Sequence, residues 1–417
     1  MRYLRFLLLS AVFCLESAWA QAPNNSTITL TDRIYVASRV YSTLRTYFDH
    51  WVEVPELNFE NAYREYLGRI TQSDDRRTFD LETMRFVALL KNGHTWFGDP
   101  WLEETDGMPL GFYARPIGAA WVITTSQISS VHPGDVIESI DDMPVEDAFQ
   151  QARQFLSNSS EREQRSYFFA VPVLFPREFS LKLTNGQVVR IERKRIPVDQ
   201  KDPVSGRWLQ KDSIAYLKIA SFNGSAVQTH AIDYLRQFKA AKTLIIDLRG
   251  NLGGRGDPPQ DLQLALLDHP VRSWREYTAG KIGRLDSVDE RDSEIFVGQQ
   301  WLRPGTRPVE GHYTGKLIFL IDVECVSYCE DFVMPFKGLP RATLIGETTA
   351  GSYSQTYFLT FDNGMLLNTA TTREVFPGGS QFEGVGIAPS MQVTPTPADL
   401  KNETDIVLQK ALEIARQ

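Results

Sequence analysis

From residue 205 onward, short apolar runs alternate with amphipathic segments. The runs have the length of buried strands, and the segments between them have the length and periodicity of helices. Strands are expected at Ile214–Ile219, Thr243–Asp247, Leu317–Asp322 and Thr343–Gly346, and helices at Ala226–Phe238, Gln260–Leu267, Tyr328–Lys337 and Thr404–Arg416. This alternation is typical of βαβ units, so the sequence predicts an α/β fold with a largely parallel sheet.

The region before this alternation begins with a helical pattern, from about residue 28 to 93. Thr31 is expected to cap one helix, and Asp80 is expected to precede another that stops at Asn92-Gly93. His94 would therefore lie just beyond a helix end. The sequence predicts a helical domain over residues 28–104.

Residues 106–198 change to short runs of β type. Phe179–Leu183 and Val188–Ile191 flank Asn185-Gly186, which is a strong two-residue hairpin signal. The stretch Pro133–Ile140 resembles part of a PDZ-like domain, in which Leu110-Gly111-Phe112 would correspond to the edge that accepts a peptide by strand addition. Residues 105–200 are thus expected to form a PDZ-like β-rich domain, with any other small β-domain as the alternative.

The N-terminus has the features of a secretory signal. Arg2 and Arg5 precede the apolar run Phe6–Leu15, and Ala18-Trp19-Ala20 places small residues before Gln21. We therefore expect residues 1–20 to be removed and the protein to be exported, either periplasmic or extracellular; a buried N-terminal helix is the alternative. No other segment has about 18 uninterrupted apolar residues, so no integral membrane span is expected after signal removal.

Composition excludes some classes of protein. The chain has 417 residues, 42% hydrophobic and 23% charged, which is a globular rather than a disordered balance. Lys and Arg (44) are fewer than Asp and Glu (52), and no basic run could neutralise phosphates, so a nucleic-acid partner is not expected. The pattern carries no information on the oligomeric state, and an oligomer is left open.

Two loops at the carboxyl ends of predicted parallel strands are candidates for chemistry. Asp247–Gly254 is rich in glycine, which lets backbone N–H groups approach a ligand, although a tight strand-to-helix turn is the simpler interpretation. It lacks the motifs of nucleotide-binding loops. Asp322–Glu330 would place Ser327 at a helix start, where Ser327 and Glu330 could equally form a capping box.

Four motifs in order resemble the S41 serine peptidase family: Asp247-x-Arg-x-Asn-x-Gly-Gly, Ser327-x-x-Glu-Asp-Phe, Arg341–Gly351 and Glu383-Gly-Val-Gly-Ile-x-Pro. The resemblance implies a ClpP/crotonase-like α/β core over residues 205–417, with Ser327 as the nucleophile. It also implies peptide or protein substrates, hydrolysed through an acyl-enzyme.

The resemblance distinguishes two branches of the family by their catalytic base. The carboxyl-terminal processing branch uses a Lys two residues after the position of Ala350, where this chain has Ser352. The tricorn-like and retinoid-binding-protein-like branch uses a His that Gly93-His94-Thr95 matches. A serine also needs a base that titrates near neutrality, so His94 is expected to be that base, with helix capping as its alternative.

The remaining site residues follow from the same resemblance. Glu383 would complete the relay, and the backbone N–H groups of Gly253 and Tyr328 would form the oxyanion hole, each to within one residue. Glu330 and Glu347 are expected to be structural. The orienter of His94 is left open.

Cys325 and Cys329 flank Ser327 and could form a disulfide in an oxidising compartment, although their spacing would be awkward inside a regular helix. No His lies near them, so no metal site is expected, and no cofactor. The predicted function is that of an exported serine endopeptidase of S41 type. The alternatives are a hydrophobic-ligand carrier and a catalytically silent peptide-binding scaffold on the same fold.

Overall fold

The computed structural model describes residues 26–195, 202–224, 226–255, 259–279, 294–303 and 312–417. The predicted signal, residues 1–20, lies outside this part. The chain divides into two units, each assembled from several segments. The first comprises Met1–Ile196, Tyr277–Val297 and Ser354–Arg373, and the second comprises Pro197–Glu276, Gly298–Tyr353 and Glu374–Gln417. The boundaries predicted at residues 104/105 and 200/205 stay predictions.

A six-stranded sheet forms the centre of the second unit. Its order is Met391–Gln392, Ala342–Gly346, Lys316–Ile321, Thr243–Asp247, Ile214–Ile219 and Val204–Gln210. All neighbours are parallel except the last pair, which is antiparallel. The central strand Thr243–Asp247 is buried at every position, as expected for a parallel sheet covered on both faces. The predicted α/β fold class and its largely parallel sheet are confirmed.

Helices flank this sheet. They are Ala226–Gln237, Gln260–Leu266, Tyr328–Val333, Pro397–Lys401 and Ile406–Ala415, with a 3₁₀ helix at Met334–Phe336. The helix predicted to continue to Lys337 ends as an α-helix at Val333, because Pro335 has no N–H to continue the hydrogen-bond ladder. The C-terminal helix starts two residues later than predicted, since Asp405 caps it by accepting a hydrogen bond from the Leu408 amide at 3.0 Å.

The first unit contains more helices than the sequence pattern predicted. Its α-helices are Leu30–Tyr47, Phe59–Ile70, Arg76–Ala88, Pro100–Asp106, Val145–Ala152 and Glu161–Tyr167, and its 3₁₀ helices are Trp51–Glu53, Arg153–Phe155, Phe168–Ala170 and Pro172–Leu174. The helix Phe59–Ile70 was not predicted. It is strongly amphipathic and buries Phe59, Tyr66 and Ile70.

Three predicted helix boundaries in this unit are wrong. Thr29, not Thr31, caps the first helix by accepting from the Asp32 amide at 3.1 Å. Asp75, not Asp80, caps the Arg76–Ala88 helix through the Thr78 amide at 2.8 Å. Asp80 lies one turn inside that helix and is buried. The same helix ends at Ala88 rather than at Gly93. At both helix starts, a residue of N-cap type stood near a better placed one.

The first unit also contains two antiparallel sheets. The larger has the order Phe112–Ile117, Ala120–Ser126, Val136–Ile140, Glu178–Leu183 and Val188–Glu192, with Met143–Pro144 paired to Val136–Ile140. The hairpin predicted around Asn185-Gly186 is confirmed, with Lys182 opposite Val188.

The smaller sheet has the order Trp96–Gly98, Leu366–Ala370 and Thr356–Thr360. It joins the segment that follows His94 to a strand near the C-terminal end of the chain. The residues of three further strands, Val271–Ala279, Glu294–Leu302 and Arg373–Val375, are divided between the two units. Of the helices in the described ranges, none combines the length and apolar character needed to cross a membrane.

Candidate active site

Ser327 lies in a sharp turn between the strand Lys316–Ile321 and the helix Tyr328–Val333. We call residues 325–329 the Ser327 turn. Ser327 has φ 58° and ψ −124°, a conformation that residues with a Cβ rarely adopt and that is common at functional sites. Although Ser327 is the N-cap residue, its side chain makes no capping hydrogen bond. The alternative prediction of a capping box is therefore wrong.

The backbone of the Ser327 turn is held by two other loops. The Ser327 amide donates to the Ser352 carbonyl at 2.9 Å, and the Ala350 amide donates to the Cys325 carbonyl at 3.1 Å. On the other side, the Val326 amide donates to the Asn251 carbonyl at 3.1 Å. We call residues 349–352 the anchor loop and residues 247–254 the glycine loop.

Glu330 fixes the anchor loop. Its buried carboxylate accepts hydrogen bonds from the Thr349 hydroxyl, from the Gly351 amide at 2.8 Å and from the Ser352 amide at 2.9 Å. Glu330 was predicted to be structural, in the helix-start position. Its partners lie in another loop, where three donors converge on one carboxylate, so it supports the same residue, Ser352, that accepts from the Ser327 amide.

The two cysteines that flank Ser327 are joined in a disulfide, with their Cα atoms 5.3 Å apart. The spacing of four residues fits because only Cys329 lies in the helix, whereas Cys325 precedes the turn at Ser327. Both cysteines are fully buried in the largest hydrophobic cluster of the second unit. The Ser327 turn is thus anchored to that core on both of its sides.

The glycine loop packs directly against Ser327. Gly253 has φ 83°, and a Cβ there would lie 2.8 Å from Ser327 Cβ and 2.9 Å from the Tyr328 nitrogen. Only glycine can therefore occupy this position without displacing the Ser327 turn. The Gly253 amide, predicted as an oxyanion donor, donates in this structure to Asn251 Oδ1 at 2.9 Å. Asn251, to which the motif alone assigned no role, also donates from Nδ2 to the Ile219 carbonyl at 3.0 Å.

A charge network supports the first residues of the glycine loop. Asp247 accepts from Tyr216 Oη at 2.7 Å, Lys218 Nζ at 3.0 Å and Arg249 Nη2 at 2.8 Å. Burial alone would raise the pKa of Asp247, but the charges of Arg249 and Lys218 outweigh it and hold that pKa well below its usual range. Arg249 also binds Asp405, the cap of the C-terminal helix, at 2.8 Å. These partners keep the loop in one position.

Glu383 lies beside the anchor loop. Its carboxylate is buried, and Oε2 is 3.5 Å from the Tyr353 amide nitrogen, the limit of a hydrogen bond. The next amide, of Gly384, donates to the Gly351 carbonyl at 2.7 Å. The structure therefore brings Glu383, the anchor loop and the Ser327 turn together within the second unit.

His94 belongs to the first unit, in the segment 91–95 that we call the His94 loop. Its amide donates to Asn92 Oδ1 at 3.0 Å, and its carbonyl accepts from Asn368 Nδ2 at 2.7 Å. Thr95 Oγ1 donates to the same Asn92 oxygen and accepts from the Ala370 amide, each at 3.0 Å. Because the preceding helix ends at Ala88, the alternative that His94 caps a helix ending at Gly93 is wrong.

Burial lowers the pKa of His94 to about 4, so its imidazole is neutral at neutral pH and able to accept a proton. A second histidine, missed by the sequence analysis, lies in the same unit. His50 is fully buried, its Nε2–H donates to the Thr372 carbonyl at 2.9 Å, and burial lowers its pKa to about 3.

The other four histidines have structural surroundings. His132, His230 and His269 lie beside Asp135, Asp202 and Asp268, and His312 contacts the Leu264 carbonyl at 3.1 Å. In the described ranges, no group of three His, Cys, Asp or Glu side chains is placed to hold a metal ion. A buried carboxyl also lies next to Glu330: Asp331 accepts from Trp274 Nε1 at 2.9 Å, and burial raises its pKa to about 6.

Three solved structures share this architecture. The crystal structure of mature CPAF matches with a TM-score of 0.72 at 13% identity, over 93% of this chain and 96% of that one. The photosystem II D1 C-terminal processing protease matches with a TM-score of 0.53 at 17% identity, over 89% and 94%. The tricorn protease matches with a TM-score of 0.50 at 15% identity, over 93% of this chain and 37% of that one. At these identities the likeness is one of fold.

The sequence itself matches a family model over residues 213–393. This range contains the glycine loop, the Ser327 turn, the anchor loop and Glu383, which are the parts of the second unit that the structure brings together. The model is that of peptidase family S41. The resemblance inferred from the four motifs is confirmed over this range, and it supports a serine-type peptidase similar to family S41.

Proposed function

We propose that the chain is an exported serine endopeptidase that cleaves peptide bonds through an acyl-enzyme, with Ser327 as the nucleophile. The observation that carries this proposal is the conformation of Ser327. It has a positive φ in a strand–turn–helix segment, packs against Gly253 and lies inside the S41 match. Such a turn presents a serine side chain away from the regular hydrogen bonding of the strand and the helix that it joins.

His94 is the proposed general base. The position of the Lys base of the carboxyl-terminal processing branch holds Ser352, whose amide donates to Glu330. A neutral, half-buried imidazole can accept the serine proton, and burial keeps His94 in that form. The base and the nucleophile belong to different units, so activity would depend on how these units come together.

The proposed reaction has two steps, formation of an acyl-enzyme on Ser327 and its hydrolysis by water. Ser327 Oγ attacks the scissile carbonyl while His94 takes the hydroxyl proton, and His94 then gives that proton to the leaving amine. Water, activated in the same way, hydrolyses the ester and restores Ser327. Glu383 would complete the relay on the serine side.

The oxyanion formed in this reaction needs N–H donors. We propose the Tyr328 amide, next to the nucleophile, together with an amide of the neighbouring glycines. The Gly253 amide would have to leave Asn251 Oδ1 in order to serve, so the Gly254 amide is the alternative within the predicted error of one residue.

A fluorophosphonate probe, which forms a covalent bond with an activated serine, tests the nucleophile. Wild-type protein should be labelled, and Ser327→Ala should not. Ser205→Ala is the matched control, because Ser205 is an exposed serine on the strand Val204–Gln210 of the same unit. Labelling of Ser327→Ala at the wild-type rate would contradict the proposal.

The same probe tests the base. His94→Ala should lower the labelling rate by about 10⁶-fold, the scale of the loss in kcat when a serine peptidase loses its catalytic histidine. His230→Ala, at an exposed histidine of the second unit, should label normally. Absence of labelling of the folded wild type at every pH from 4 to 9 would instead favour a silent carrier of hydrophobic ligands or peptides.

Peptide capture is proposed for the predicted PDZ-like region. The strand Phe112–Ile117 lies at the end of its sheet, the position that strand addition requires. Short peptides added to the Ser327→Ala protein should slow hydrogen exchange of amides in Phe112–Ile117. Unchanged exchange in this strand with bound peptide would place the peptide elsewhere.

Export is proposed from residues 1–20. The mature protein purified from the periplasm or medium of an expressing bacterium should begin at Gln21, which N-terminal sequencing measures. A mature protein that retains Met1 would contradict this proposal without affecting the catalytic one.

A further inference from the structure

The disulfide Cys325–Cys329 encloses Ser327 in a small covalent ring. Only Val326, Ser327 and Tyr328 lie between the two cysteines. Both half-cystines are fully buried in the hydrophobic cluster that also contains Leu248, Phe332 and Phe382. Cys329 Sγ lies 3.9 Å from the Leu248 carbonyl. The ring therefore connects the Ser327 turn to the packed centre of the second unit.

Ser327 needs such restraint because of its backbone conformation. A positive φ is unfavourable for a residue with a Cβ and persists only where the surroundings impose it. Backbone hydrogen bonds contribute: Ser327 N–H donates to Ser352, and the Ser327 carbonyl accepts from Glu330 at 2.8 Å and Asp331 at 3.0 Å. The disulfide adds a covalent restraint on both sides of the serine.

The space around the turn is also limited. Gly253 lies so close that even a Cβ would be 2.8 Å from Ser327 Cβ. Two thiols occupy more room than one disulfide, because nonbonded sulfur atoms cannot approach to bonding distance. In a close-packed core with both cysteines fully buried, separating the two sulfur atoms must displace the residues between them.

We infer that Cys325 and Cys329 are a positioning pair for Ser327, so that the peptidase is active with the disulfide formed and is reversibly turned down when the disulfide is reduced. This inference rests on the proposed function. Reduction transfers two electrons and two protons from a dithiol reductant, which becomes a disulfide, and leaves two thiols at Cys325 and Cys329. Oxidation by a small disulfide restores the ring and the original position of Ser327.

The inference links activity to the compartment in which the protein is found. A chain still in a reducing cytoplasm would hold Cys325 and Cys329 as thiols and hydrolyse little, and it would gain activity in an oxidising compartment. The predicted signal at residues 1–20 would carry it there. The lack of the disulfide would thus keep an exported peptidase inactive before export.

The first experiment compares oxidised and reduced full-length protein. Dithiothreitol is the reductant, iodoacetamide after denaturation counts the thiols by mass spectrometry, and a fluorophosphonate and a fluorogenic peptide report activity. Reduction should lower kcat and the labelling rate at least about 10-fold with KM changed less than about twofold, and oxidised glutathione should restore both, because misplacing a reacting group slows chemistry more than binding. In protein that keeps residues 1–20, Cys14→Ala, which removes the remaining cysteine, should respond in the same way.

A variant makes the test independent of how easily the buried disulfide is reduced. Cys325→Ala/Cys329→Ala should have the low kcat of the reduced protein, should not respond to dithiothreitol, and should keep a cooperative unfolding transition above the assay temperature. Full activity of this variant, or of protein shown to carry both thiols, would overturn the inference.

Hydrogen exchange separates this inference from the proposed function. The amides of Ser327 and Glu330, bonded to Ser352 and Ser327, should exchange faster after reduction, while amides of the strand Thr243–Asp247 stay unchanged. If the oxidised protein neither labels nor cleaves peptides, the proposed function fails, and exchange alone decides the positioning role. Equal exchange at Ser327 and Glu330 in both redox forms would refute that role.

Discussion

The Ser327 turn and the His94 loop are held in place by different means. The Ser327 turn is held by main-chain hydrogen bonds to two neighbouring loops and by a disulfide, all within the second unit. The His94 loop is held mainly by side chains: Asn92, Thr95 and Asn368 supply bonds within the first unit, together with the main-chain bond from the Thr95 amide to the Asn92 carbonyl at 3.1 Å.

The difference has a physical consequence. A main-chain and covalent framework leaves little freedom for a strained serine, whereas a side-chain network sets the burial, and hence the pKa, of a titratable group. Substitutions near Ser327 should therefore act through geometry, and those near His94 through protonation. The following four predictions test this comparison.

Gly253→Ala tests the geometry of the Ser327 turn. Because its new Cβ would lie 2.8 Å from Ser327 Cβ, we expect the fluorophosphonate labelling rate to fall by about 100-fold. Gly338→Ala is the matched control, since Gly338 has the same φ of 83° and no atom within 4 Å of the added Cβ. If both variants lose activity equally, the backbone conformation rather than the contact with Ser327 is responsible.

His50→Gln tests protonation in the first unit. Because burial lowers the pKa of His50 to about 3, the unfolded chain takes up a proton below its ordinary pKa of 6.5 that the folded chain does not. Stability should therefore fall as the pH drops through this window. Between pH 6.5 and 5, this proton uptake should lower the free energy of unfolding by about 2 kcal/mol. Gln at position 50 has an amide donor but does not titrate, so His50→Gln should remove this loss.

Urea unfolding at pH 6.5 and pH 5 measures this difference. His230→Gln, at an exposed histidine, should keep the full pH dependence of the wild type. If the free energy of unfolding fell equally between pH 6.5 and pH 5 in His50→Gln and in the wild type, His50 would be protonated in the folded protein.

Glu330→Gln tests the support of the anchor loop. Gln retains one carbonyl acceptor, but its NH₂ group would face N–H donors that bind the Glu330 carboxylate in the wild type. We therefore expect labelling to slow by about tenfold and the free energy of unfolding to fall by about 2 kcal/mol. Glu413→Gln, in the exposed pair with Lys410, should change neither quantity. Wild-type labelling in Glu330→Gln would mean that the anchor loop does not position Ser327.

The pH profile of labelling tests His94 itself. Because burial lowers the pKa of His94 to about 4, the neutral base persists in acid, and the rate at pH 5.5 should stay within about twofold of that at pH 7.5. An ordinary histidine would lose about tenfold over the same interval. An acid limb near pH 6.5 would therefore contradict either the burial of His94 or its role as the base.

Features that depend on neighbouring residues could be predicted from the sequence. The central strands, the hairpin at Asn185-Gly186 and the loops at the strand ends all follow from local apolar patterns and turn residues. The wrong helix caps at Thr31 and Asp80 lay within five residues of the correct ones. Several residues near each helix start have a side chain that can act as an N-cap, and packing determines which of them does.

Contacts between distant residues could not be predicted. The capping-box alternative for Ser327 failed because Glu330 binds donors 19 to 22 residues away. The support of His94 by Asn368 spans 274 residues, and the bond from His50 to Thr372 spans 322. No local pattern marks these partners.

The amino-acid order alone determined the parallel sheet, the positions of Ser327 and of the two cysteines beside it, and the motifs of family S41. Only the tertiary structure shows that Ser327 adopts a positive φ, that Glu330 holds the anchor loop and that Asn251 Oδ1 accepts a hydrogen bond from the Gly253 amide. The physical reason is that apolar periodicity is a property of neighbouring residues, whereas a buried polar group must find its partner wherever the fold brings one near.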